Sequence, residues 1–102
     1  MVREFLSYYQ NGVKLEAING MPKMIIPPTP VGEFNQIVVE IKNELDKAVA
    51  LEPYSKDPEL EITSYPRMLN KKETGEVIIT FRPNRDRLDP LDDEWGFKVL
   101  IG

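Results

Sequence analysis

The stretch NRDRLDPLDDEWG, residues 84–96, gathers Asp86, Asp89, Asp92, Asp93 and Glu94 within nine positions. Oxygen ligands at that density suit a hard cation such as Ca²⁺, but the alternating ligands and central glycine of an EF-hand loop are missing. The simpler reading is a solvated loop whose acids pair with Arg82, Arg85 and Arg87, since surface ion pairs are common and individually weak. Whether the loop 86–94 binds Ca²⁺ stays open at this level.

Other chemistry has less material. The chain has no histidine and no cysteine, which removes Ser-His-Asp and Cys-His arrangements, an imidazole base, familiar zinc sites and any disulfide framework. The glycines are isolated turn residues rather than a cluster opening a helix, as a phosphate cradle requires. Paired carboxylates could do acid–base work, yet acids in a domain of this size mostly lie on solvated turns. The expectation is a protein that is not an enzyme and carries no cofactor. Pro27 to Pro30, PPTP, fits the minimal P-x-x-P pattern of polyproline ligands; without a flanking basic residue it reads as a stiff loop. Phe5, Tyr8 and Tyr9 either cap a core or anchor an interface, and with Val13 and Leu15 they form the candidate partner interface.

Composition narrows the class. A chain of 102 residues is one domain's worth and can bury about two-thirds of its unfolded surface. Its net charge of -4, with 13 interspersed Lys and Arg, argues against nucleic acid, which demands a clustered basic excess. The apolar runs MII and VLI fall far short of the roughly 18 residues of a membrane span. Arg3, Glu4 and Ser7 interrupt the region where a secretory signal would be apolar. Cytoplasmic synthesis, protein partners, no nucleic acid and no membrane are the resulting expectations.

The elements that must position these residues turn on Gln36 to Pro53, QIVVEIKNELDKAVALEP. As a helix, Ile41, Leu45, Ala48 and Val49 would share a face, but Glu40 would sit over Glu44 and the first turn would be rich in β-branched residues. As two strands lying side by side around a polar turn, Ile37, Val39 and Ile41 alternate with Val38, Glu40 and Lys42, and Val49 and Leu51 resume the alternation after Asn43 to Lys47. Strands are preferred. The neighbours agree: Val77, Ile79 and Phe81 share one face, as do Leu60 and Ile62, and Phe97, Val99 and Ile101. Trp95, Phe81, Phe97 and Ile79 are assigned to the core. Asn11-Gly12 and Asn19-Gly20 are hairpin turns, so REFLSYYQ, VKLEAI and MPKMII read as a three-stranded meander whose third strand starts at a sheet edge, at Pro22. The alternative for the first segment is a short helix with Val2, Phe5, Leu6 and Tyr9 along one side.

Residues 24–83 carry a resemblance in the order and spacing of several short elements. These are Val31-Gly32-Glu33, Asn43 ending a strand, Lys56-Asp57-Pro58-Glu59-Leu60, Gly75-Glu76 opening a strand, and Phe81-Arg82-Pro83 closing it. In this the chain resembles the immunoglobulin-like β-sandwich group that includes the major sperm protein, abnormal-spindle and Hydin-type domains. The resemblance implies an all-β, immunoglobulin-like β-sandwich and a non-catalytic place in filaments, cilia, tethering complexes or virions. Where the group continues with two strands after its F-x-P strand, this chain has a polar loop and the single strand WGFKVLI. An open seam would follow, to be filled by the N-terminal meander, with VKLEAI alongside the final strand, or by a strand from a neighbouring subunit.

The expected architecture is thus a single domain over 1–102, an N-terminal β-meander extension (1–22) joined to a sandwich (23–102). The expected role is a structural or protein-docking subunit of an assembly, with a virion component, a capsid decoration or tail-associated protein, as the leading case. A cytoskeletal or tethering adaptor and a carbohydrate or small-ligand binding sandwich are the alternatives.

Overall fold

The computed structural model describes residues 5–18, 21–56, 58–83 and 95–101. Ten strands run along the chain: β1 Leu6–Gln10, β2 Val13–Lys14, β3 Ala17–Ile18, β4 Met21–Pro22, β5 Asn35–Asn43, β6 Val49–Ser55, β7 Leu60–Ser64, β8 Met68–Leu69, β9 Thr74–Phe81 and β10 Trp95–Leu100. There is no helix among the described residues, and so none long and apolar enough to cross a membrane.

Two antiparallel sheets pack face to face as a β-sandwich. One has the order β2-β1-β5-β9-β7, the other β10-β6-β8, and β3 and β4 pair with each other alone. The order β1-β5-β9-β7 opposite β10-β6 is the A-B-E-D over F-C arrangement of an immunoglobulin sandwich. The alternation in the sequence explains the core directly. Ile37, Val39 and Ile41 of β5 and Val77, Ile79 and Phe81 of β9 point inward, where they meet Val49 and Leu51 of β6 and Trp95 and Phe97 of β10. Each fully buried side chain of this kind contributes about 1.5–3 kcal/mol.

The segment 36–53 is extended on both sides of its turn, as expected, but its halves do not lie side by side. β5 belongs to the larger sheet and β6 to the smaller. The turn between them carries the chain across the sandwich, because Leu45 is buried and draws the turn into the core. Asn43, fully buried, holds it there: its Nδ2 donates to the carbonyls of Lys47 (2.8 Å) and Asn70 (3.0 Å), and its Oδ1 accepts from Leu45 N–H at 3.0 Å.

The N-terminal reading also holds in part. Asn11 (φ 52°) and Gly12 (φ 80°) form a two-residue turn with both φ positive, and Gln10 faces Val13 across it. The first segment is strand, not helix, and pairs with β5 in the register Tyr8↔Ile41 and Tyr9↔Glu40. The three expected segments pair in meander order, REFLSYYQ with VKLEAI through β1 and β2 and VKLEAI with MPKMII through β3 and β4, but not as one continuous sheet: β1 and β2 join the larger sheet, β3 and β4 form a separate ladder with Ile18 opposite Met21, and Asn19-Gly20 lies outside the described residues. The final strand is not joined by VKLEAI. The element beside β10 is β4, with no ladder between them, and Pro22 is buried there without an N–H to offer.

Candidate interaction edge at the last strand

The side of the sandwich where β1 and β10 meet is built around one aromatic group. Tyr8 projects inward from β1 and its ring meets the Trp95 indole edge-on, centroids 5.8 Å apart at 78°. Trp95 in turn stands edge-on to Phe97, two residues along β10, at 6.4 Å. The Tyr8 phenol reaches further and hydrogen-bonds to the Phe97 backbone. Burial pushes this phenol well above its ordinary range, the nearby Tyr54 phenol adds to the rise, and the Phe97 bond opposes it. A bond that favours the ionised phenol is one its oxygen accepts, so the donor is Phe97 N–H.

Strand parity places that N–H on the outside of the sheet. Leu51 N–H of β6 donates to Arg67 O at 2.9 Å, on the β8 side, so the backbone groups of Leu51 point away from β10. Leu51 is directly opposite Val99, and Pro53 opposite Phe97. Trp95, Phe97 and Val99 therefore turn their N–H and C=O groups to the outer edge of β10, as non-hydrogen-bonded positions of an antiparallel ladder do. Tyr8 takes one of these donors. Toward the end of the strand the neighbouring side chains become apolar and exposed, with Leu100 and Ile101 both in solvent. On the outer face, Tyr54 lies across from Gly96, its hydroxyl 3.3 Å from where a Cβ would stand.

The five residues of the candidate interface separate into two groups. Tyr8 and Leu15 are buried in the core, whereas Phe5 and Val13 are exposed and Tyr9 is half-buried on the outer face of the larger sheet. Burial of Tyr8 was not legible because period-two alternation does not say which face of an end segment is covered. Sequence reasoning also missed that Glu40 and Glu76 stand directly opposite each other on that outer face, and that Arg82 lies over the exposed Phe34 ring at 4.6 Å. Residues 84–94, with the acidic loop, lie outside the described residues. Among the described residues no group of three or more acids gathers as a ligand set.

No protein-family model matches this chain. No curated protein and no solved structure matches it either.

Proposed function

We propose that the protein is a non-enzymatic structural or docking subunit that joins a larger assembly by accepting an extended segment of a protein partner along the outer edge of β10, the side on which β4 lies without forming a ladder. The observation that supports this is the outward direction of the Val99 N–H and C=O beside exposed Leu100 and Ile101. An added strand would take those backbone groups for affinity and the apolar side chains for specificity. The other edges suit this less: β2 and β8 are two residues long, and β7 carries a register shift between Ile62 and Ser64, both common ways of blunting an edge. A virion component, repeated many times across a particle, is the specific case we favour.

The test is Val99→Pro. Its N–H points away from β6, so the ladder to β6 survives while the outward donor is lost. Sedimentation across a concentration series, alone and with partner candidates, reads the outcome. Assembly should fall at least about tenfold in affinity, the scale of one lost backbone hydrogen bond plus a steric block, while the chain stays folded, its stability lowered only by the packing that half-buried Val99 gives the core. Assembly by the proline variant equal to that of the parent chain would sink the proposal. Purified virions that lack the protein would remove the virion case.

A further inference from the structure

We infer that residues 5–26 form an exchangeable unit, and that the partner it fits is a second copy of this chain, whose β5 receives β1 in place of its own. The inference goes beyond the β10 edge and does not depend on it.

The unit is internally complete. β1 and β2 pair with each other, Lys23 N–H donates to Glu16 O at 2.8 Å, and the Gln10 amide holds Ile25 at both backbone groups, at 2.8 and 2.7 Å. Toward the sandwich it presents Leu6, Tyr8, Leu15 and Met24, all buried. β1 pairs with β5 and no other strand of the sandwich. Every one of these bonds can form equally with the sandwich of another copy, which is the condition for exchange.

The connector, residues 27–33, is built to open. Pro27, Pro28 and Pro30 set it toward an extended path. Its one reversal is a turn closed by Glu33 N–H on Pro30 O at 3.1 Å, with Gly32 at φ 89° as the third residue of a type II turn. Its bonds to the sandwich are Gly32 N–H on Pro83 O, long at 3.4 Å, and Asn35 Nδ2 of β5 on Thr29 Oγ1 at 2.6 Å. Fully extended, seven residues span about 25 Å, ample to reach a neighbour.

The second copy is indicated by what the connector and its flanks leave in solvent. Val31 in the connector and Ile25 and Phe34 at its two flanks are exposed by 46%, 73% and 53%, an apolar load that the sandwich leaves in solvent. In an exchanged dimer the two connectors run side by side, and these side chains meet their own counterparts.

Two experiments test this. The Cβ of Gly32→Ala meets no atom within 4 Å, so the substitution penalises only the positive φ of the closed turn, by an amount worth about fivefold to thirtyfold in population. Light scattering after refolding at high concentration should show the dimer fraction raised by at least about fivefold; an unchanged fraction overturns the inference. Second, Tyr9→Cys and Glu40→Cys chains, each checked for an unaltered β spectrum, are refolded together in a thiol–disulfide buffer. The two positions are directly opposite in the β1–β5 ladder, at a spacing of about 5.5 Å that a disulfide accepts, and the chain has no cysteine of its own. Exchange gives a covalent heterodimer joining the two introduced thiols. A yield no higher than with Lys98→Cys as the partner chain overturns it. If Val99→Pro abolishes assembly while these thiols never join, exchange fails and the edge proposal stands; joined thiols with Val99→Pro inert give the reverse.

Discussion

The Tyr8 phenol accepts the outward N–H of Phe97, so a side chain of the first strand closes a backbone position of the last. Replacing it with Phe keeps the edge-on packing on Trp95 and leaves that buried N–H without its acceptor. Tyr8→Phe should cost about 1–3 kcal/mol, measured by denaturant unfolding at neutral pH.

The same residue predicts an alkaline limb. Its folded pKa is raised above the unfolded value of 10.0, so above that value the unfolded chain has released a proton that the folded chain retains. The unfolded state then binds fewer protons, and stability falls as pH rises. The contribution is whole below pH 10 and declines beyond it. The difference in melting midpoint between the parent and Tyr8→Phe should therefore narrow between about pH 10 and 11.5; a constant difference would show that the phenol does not titrate this way.

Asn43 donates to three carbonyls, those of Lys47, Asn70 and, at 3.3 Å, Leu69. Asn43→Ala strands these groups and should cost about 1–3 kcal/mol. Asn43→Asp should be worse, because a carboxylate would face carbonyl oxygens with nothing to donate. Paired unfolding curves give the order.

At Gly75 a Cβ would stand 2.7 Å from Pro66 Cγ and 3.0 Å from Leu69 Cδ2. The absence of a side chain lets the β7–β8 connection tuck against β9. Gly75→Ala should destabilise by about 1–3 kcal/mol through overpacking, read as a lowered thermal midpoint.

Glu40 opposes Glu76 on the exposed face. Glu76→Lys turns a like-charge pair into an opposite one and should stabilise by about 0.2–1 kcal/mol, an effect that shrinks in 1 M salt.

The strands were legible because burial of one face imposes period two, and the runs Ile37-Val39-Ile41 and Val77-Ile79-Phe81 state it without ambiguity. The Asn11-Gly12 turn was legible for a similarly local reason, since its positive φ values are a property of two residues. Phe81, Trp95 and Phe97 were read as core and are buried. Of the interface candidates, Phe5 and Val13 are exposed while Tyr8 and Leu15 are not, a division that no local pattern encodes.

Alternation, turn chemistry and the all-β class were thus settled by the sequence itself, since each depends on neighbours one to four positions apart. Which sheet each strand joins was decided only in three dimensions. Leu45 and Asn43 send β6 across the sandwich instead of alongside β5, and the Tyr8 oxygen finds Phe97 some ninety positions away. Such choices rest on which buried groups can satisfy one another, and that becomes defined only when the two sheets close over a shared core.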